Sequence, residues 1–178
     1  MQIPQKPIVI VGMMGSGKTT LGNALAKTWG VPFFDTDAMI EQQHGKTVAD
    51  IFATEGEAFF RDAEHHVLKK AVQSGRCIIA LGGGAFIPER NRKLLKNNTI
   101  SIFLKVTPEI LFRRLEKKAA HRPLLHTGNG TLRERIATLL AEREPLYAQA
   151  DVTVMFDQRM GLKKAVLLVE VALQETLI

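Results

Sequence analysis

Gly12-Met13-Met14-Gly15-Ser16-Gly17-Lys18-Thr19 fits the pattern G-x-x-x-x-G-K-[ST], and its flanks decide what that pattern means. Ile8-Val9-Ile10-Val11 just before it reads as a buried strand, and after it Leu21, Leu25 and Trp29 recur at helical spacing. A glycine-rich turn between a strand and a helix lets successive backbone N–H groups point inward around a phosphate. The positive end of the helix adds a favourable field. In that setting Lys18 reaches the terminal phosphates and Thr19 offers its hydroxyl to Mg²⁺. A flexible turn with a stray Lys-Thr does not account for strand, motif and helix standing in register. The spacing predicts a site for a nucleoside triphosphate.

Strand-like and helix-like runs alternate outward from this loop along the whole chain, which argues for a parallel sheet covered by helices, an α/β fold. The pattern predicts strands at Pro7–Val11, Pro32–Phe34, Cys77–Leu81, Ile100–Leu104 and Val152–Met155. Helices are predicted at Lys18–Trp29, Ala38–His44, Val48–Ala53, Glu57–Ser74, Pro88–Lys96, Pro108–Lys117, Leu132–Gln149 and Leu162–Glu175. Pro88 and Pro108 suit a first helical turn, Thr131 with Glu134 makes a capping box, and Gly30 and Gly75 suit helix stops. His121–Gly130 follows neither period and holds Pro123, Gly128, Asn129 and Gly130, so it reads as a solvent-exposed loop of the kind that serves as a lid.

The 178 residues fit one domain, with 46% hydrophobic and 24% charged residues as in ordinary globular proteins. No apolar run approaches the roughly 18 residues of a membrane span. The apolar start leads into the phosphate loop, not into a small-residue cleavage site, so no signal peptide is expected. The single cysteine, Cys77, reads as a small core residue in a reducing compartment, and the expected location is the cytoplasm. With no long heptad pattern, a monomer is expected. A net charge of +6 favours anionic ligands without choosing among them. Arg113, Arg114, Lys117, Lys118 and Arg122 cluster without interleaved aromatics, which argues against single-stranded nucleic acid. For Arg122 two readings stand, a solvated basic helix end and a phosphate contact in a mobile loop.

Phosphoryl chemistry needs an acidic group beside the loop to help hold the metal. The most apolar strand, Ile78-Ile79-Ala80-Leu81, ends in Gly82-Gly83-Gly84 and offers none. The carboxylates follow Phe33-Phe34 instead, as Asp35 and Asp37. Asp35, nearest the strand end, is the better metal partner, which leaves Asp37 to accept a proton from a hydroxyl substrate or to cap a helix. Three glycines after a core strand are either a flexible turn or a place where a ligand approaches the backbone closely. Arg143 falls within the apolar stripe of Leu132, Ile136, Leu139, Leu140 and Tyr147, and Arg61 stands near the start of another helix. A buried arginine needs an anionic partner. Two of them suit a clamp for a carboxylate or phosphate on a small substrate, or ordinary structural ion pairs.

Taken together, the phosphate loop, Asp35-Thr36-Asp37, Gly56-Glu57-Ala58-Phe59-Phe60-Arg61, Gly82-Gly83-Gly84-Ala85, Arg122-Pro123-Leu124-Leu125 and Arg143-Glu144-Pro145-Leu146-Tyr147 resemble the shikimate kinase family from Pro7 to about Arg159. The resemblance implies a three-layer P-loop NTPase fold with a five-stranded parallel sheet in strand order 2-3-1-4-5, a substrate-binding region near residues 35–62 and a lid near 117–130. It implies transfer of the ATP γ-phosphoryl group to the 3-hydroxyl of shikimate, a step towards chorismate and the aromatic amino acids, with Mg²⁺ as cofactor. By the same resemblance Gly12, Gly15, Ser16, Gly17, Lys18, Thr19 and Thr20 hold the nucleotide, and Thr19 with Asp35 serves Mg²⁺. Asp37 orients and deprotonates the hydroxyl. Gly82, Gly83 and Gly84 line the acceptor site, with the Gly83 backbone holding the substrate, and Arg61 and Arg143 bind its carboxylate. Arg122 closes onto the phosphates, and Arg159 packs on adenine. The rival readings are a gluconate or nucleotide kinase on the same fold and an ATP-binding regulator that transfers nothing. No N-K-x-D stretch for a guanine-specific switch is present.

Overall fold

The structure, a computed structural model, describes residues 3–116, 131–157 and 160–176. Five strands form one sheet: β1 (Ile8–Val11), β2 (Phe33–Asp35), β3 (Ile78–Ala80), β4 (Ile100–Val106) and β5 (Val152–Phe156). Their order is β2-β3-β1-β4-β5 and all pairs are parallel, with Ile8 opposite both Ile78 and Ile100. Side chains alternate between the two faces of a strand, yet every residue of β1 and β3 is buried. Both faces of the central sheet are therefore covered, which is why these strands read as continuous apolar runs. The edge strand β5 alternates buried and exposed residues instead.

The helices are α1 (Lys18–Trp29), α2 (Thr36–His44), α3 (Val48–Thr54), α4 (Gly56–Val72), α5 (Glu89–Asn98), α6 (Pro108–Glu116), α7 (Leu132–Tyr147) and α8 (Leu162–Thr176). α1 packs against β1, β2 and β3 and against α8, which covers β5. Trp29 fastens this pair, its indole Nε1 donating to Glu170 Oε1 at 2.8 Å. A second apolar cluster of Ile40, Ile51, Phe60 and Val67 joins α2, α3 and α4 into a small helical lobe beside the sheet.

Local chemistry sets the helix ends. Capping boxes at Thr47–Asp50 and Thr131–Glu134 start α3 and α7, Pro108 opens α6, and Gly30 closes α1 in the left-handed conformation. Pro88 precedes α5 as its cap residue and does not enter the first turn; Gly75 lies past Val72, where α4 already ends. α2 begins at Thr36, two residues before its expected start, because the Asp35 carboxylate accepts the N–H groups of Asp37 and Ala38. The expected lid, 117–130 with Arg122, and Arg159 lie outside the described residues.

Candidate active site

The carboxyl ends of β1, β2 and β3 are neighbours, so the phosphate loop, Asp35 and Gly82-Gly83-Gly84 emerge side by side. In open parallel sheets the crevice at this end holds ligands. Here it opens as a cavity of about 770 Å³ running from Asp35, Asp37 and Gly83 along Gly15–Thr20 to Arg114, Phe156 and Leu162.

The loop requires its first glycine. Gly12 has φ +142°, and a Cβ there would stand 2.8 Å from the Leu104 carbonyl oxygen. Lys18, almost fully buried, is held at the loop, its ammonium donating to the Gly12 and Met13 carbonyls at 2.9 and 3.0 Å. The Thr19 hydroxyl donates to Asp35 Oδ2 at 2.7 Å, so the two residues assigned to the metal converge. The other oxygen of Asp35 caps α2, which leaves Asp37 in that helix's first turn and not at its cap. Between them, Thr36 is fully buried and its hydroxyl accepts the Gly82 N–H at 2.9 Å. Asp35-Thr36-Asp37 thus splits into a group facing the loop, a pin for the glycine triplet and a carboxylate beside that triplet.

Each glycine of the triplet makes room for a different group. A Cβ on Gly82 would sit 2.3 Å from Asp37 Oδ1, on Gly83 3.2 Å from the Met14 N, and on Gly84 2.6 Å from Arg61 Nη1. The carboxylate, the phosphate loop and the guanidinium therefore meet at one strip of side-chain-free backbone. From the far side Arg143 Nη1 donates to the Gly83 carbonyl at 3.4 Å, and the Tyr147 hydroxyl donates to the same oxygen.

The two arginines are held differently. Arg61 pairs with Glu64 at 2.9 Å and with Glu57 at 3.0 Å. Burial works against its charge, but these carboxylates outweigh it and raise its pKa. Its guanidinium also lies 5.5 Å from the Phe60 ring centroid. Arg143 is 9% exposed, and among the described residues no carboxylate stands within ion-pairing distance of it. The sequence rule that a buried arginine finds an anion is met by direct ion pairs for Arg61; among the described residues Arg143 has hydrogen-bond contacts with Gly83 and Tyr147 and feels the Glu64 carboxylate only through its field. Burial also pushes the Tyr147 hydroxyl above its ordinary value, against the pull of Arg143.

Glu64, Tyr147 and Arg114 join the site without having been assigned to it from sequence. Glu64 is 1% exposed, and burial pushes its carboxyl up to about 7; Arg61 pulls it down, while the nearby Asp37 carboxylate pushes it up. Its Oε1 has no hydrogen-bond partner among the described residues and stands 3.2 Å from where a Gly82 Cβ would be. The signals were in the spacing: Glu64 follows Arg61 by three residues and Tyr147 follows Arg143 by four, placing each pair on one helix face. Arg114, read from sequence only within a basic cluster, donates to the Gly15 and Ser16 carbonyls at 3.2 and 2.8 Å and lies 5.9 Å from the Phe156 ring centroid.

A parallel sheet with a phosphate loop at its carboxyl edge and a carboxylate facing that loop defines a P-loop fold of the small-molecule kinase type. The family model described as shikimate kinase matches residues 14–170. A shikimate kinase from Cereibacter sphaeroides is 45% identical over 84% of this chain and 74% of its own length. Among solved structures, shikimate kinase from Acinetobacter baumannii in complex with shikimate superposes with a TM-score of 0.85 at 34% identity, covering 97% of this chain and 93% of that one. Shikimate kinase from Bacteroides thetaiotaomicron gives a TM-score of 0.87 at 34% identity, covering 96% and 99%. The chain belongs to the shikimate kinase family.

Proposed function

We propose that the chain transfers the γ-phosphoryl group of ATP to the 3-hydroxyl of shikimate, giving shikimate 3-phosphate and ADP. The observation that carries this reading is the meeting of Asp37, the phosphate loop and Arg61 at the glycine triplet, with Arg143 on its far side. In this assignment Arg61 and Arg143 grip the acceptor carboxylate through charge-assisted hydrogen bonds. Gly82, Gly83 and Gly84 let the carbocycle lie against backbone, and the hydroxyl is aimed at the phosphate end of the cleft. Asp37 takes the hydroxyl proton as the new O–P bond forms and the bond to the β-phosphate oxygen breaks.

Gly12, Gly15, Ser16, Gly17, Thr19 and Thr20 hold the phosphates from below, and Lys18 offsets negative charge on the transferring group. Arg114, beside Phe156, lines the part of the cleft that takes the base. The Thr19 hydroxyl and Asp35 carboxylate are hard oxygen donors 2.7 Å apart, which fits Mg²⁺, a cation that takes few protein ligands beside phosphates and water. When bound there, the cation supplies charge neutralisation across the phosphates. Arg122 and the lid at 117–130 complete closure, and Arg159 adds to the base site. The same reading has the 35–62 region as the acceptor-binding part of a single kinase domain, working as a monomer in the cytoplasm. Among the described residues no helix is long and apolar enough to cross a membrane.

The test is a coupled assay of ADP formation with shikimate, gluconate and nucleoside monophosphates as acceptors, with and without Mg²⁺. Stimulation by shikimate alone, dependent on Mg²⁺, is the expected result. Equal or greater stimulation by another acceptor, or none by shikimate, refutes the assignment.

A further inference from the structure

Three consecutive residues at the start of α5 bind the two halves of the acceptor site to one another. Arg90 Nη2 donates to the Arg61 carbonyl at 2.7 Å and to Asp62 Oδ1 at 2.8 Å, both on α4. Asn91 is fully buried; its Nδ2 donates to the Ala85 carbonyl at 2.7 Å, directly after the glycine triplet. Its Oδ1 lies 2.6 Å from His65 Nδ1, again on α4. Because the Asn91 amide group is spent on Ala85, its oxygen must accept, which assigns the His65 proton to Nδ1. Arg92 Nη1 donates to the Phe86 carbonyl at 3.1 Å and to that of Ile87, fixing the rest of the same loop. α4 carries the guanidinium and the loop carries the glycines, and this network joins the two.

We propose that Arg90, Asn91 and His65 form a positioning clasp that fixes Arg61 against the glycine wall and so sets affinity for the acid substrate without touching it. The inference rests on the reading of Arg61 as the carboxylate anchor. A buried asparagine with both ends used, bridging a helix and a loop, holds their spacing more tightly than apolar contact alone, because any slip leaves a buried carbonyl unpaired. Small displacements of a binding group weaken a bound geometry disproportionately. The nucleotide side shares none of these bonds: Lys18 and Thr19 are held by Gly12, Met13 and Asp35.

The experiment measures kcat, KM for shikimate, KM for ATP and the thermal midpoint in Arg90→Ala, His65→Leu, His65→Gln, Arg61→Ala and the double variant Arg61→Ala/Arg90→Ala. Arg90 is 46% exposed, so its truncation leaves the fold intact. Expected for Arg90→Ala is a rise in shikimate KM of about three- to tenfold, the range of one hydrogen bond, that to the Arg61 carbonyl, with ATP KM unchanged. His65→Leu should move the same constant, and His65→Gln, whose amide can donate to Asn91, should restore it. Arg90→Ala should add nothing once Arg61 is gone. If Arg61→Ala raises shikimate KM while Arg90→Ala and His65→Leu lower only the thermal midpoint, the clasp is purely structural and the proposal falls. A parallel rise of both KM values overturns it too. If Arg61→Ala itself leaves shikimate KM unchanged, the anchor assignment fails and the clasp with it.

Discussion

Replacing Glu64 with glutamine tests the electrostatics of the site without touching ATP. Glu64 is 1% exposed and 2.9 Å from Arg61, yet burial carries its carboxyl from an ordinary 4.5 up to about 7. The folded protein therefore binds a proton that the unfolded chain has already released between pH 4.5 and about 7. Stability falls as pH rises wherever the native state binds more protons, so across this window Glu64 costs the fold free energy as it ionises. At about 1.4 kcal/mol per pH unit the interval amounts to about 3 kcal/mol. Glutamine does not titrate, keeps the shape and can still accept from Arg61. Urea denaturation of both proteins from pH 4.5 to 8 should show Glu64→Gln gaining on wild type by about 1–3 kcal/mol over that range, with the gain levelling off above pH 7. A difference that stays flat with pH, or one in which the variant loses ground as pH rises, refutes the reasoning. The first would mean that the Arg61 pair cancels burial, the second that it outweighs burial.

Three further outcomes are expected. Asp37→Asn should lower kcat by about 10²- to 10⁴-fold, with ATP affinity retained by equilibrium titration; near-normal turnover removes Asp37 from the proton step. Gly84→Ala puts a methyl 2.6 Å from Arg61 Nη1, so shikimate KM should rise by about tenfold or more while ATP KM holds. Asp35→Ala should lose about 1 kcal/mol of stability with its cap and require about tenfold more Mg²⁺ for half-maximal rate. Asp35→Asn should keep the cap and show the Mg²⁺ effect alone, which a metal titration beside a thermal melt would separate.

The phosphate loop and the sheet were legible in the sequence because both are local: a strand, a fixed turn and a helix carry their own periodicity. The capping box at Thr131 and the stop at Gly30 were legible for the same reason. Asp35 and Asp37 were singled out, but which of them caps α2 depends on where Thr19 stands across the sheet, and no spacing rule carries that information. Arg143 was placed inward correctly from its apolar stripe. Its partners, the Gly83 carbonyl and Tyr147, were not foreseen, because an arginine with no directly paired carboxylate among the described residues breaks the rule used to read it. Glu64 escaped notice since a glutamate on a long helix usually faces water, whereas here the Gly82 loop comes against it.

The chain carries one tryptophan, and the structure buries it at the end of α1 opposite the phosphate loop, where that helix meets α8. Its fluorescence is therefore a single-site optical reporter: emission wavelength follows the dryness of that seam, and quenching follows the hydrogen bond to Glu170. Detachment of the carboxyl-terminal helix will be visible by spectroscopy on the unlabelled protein.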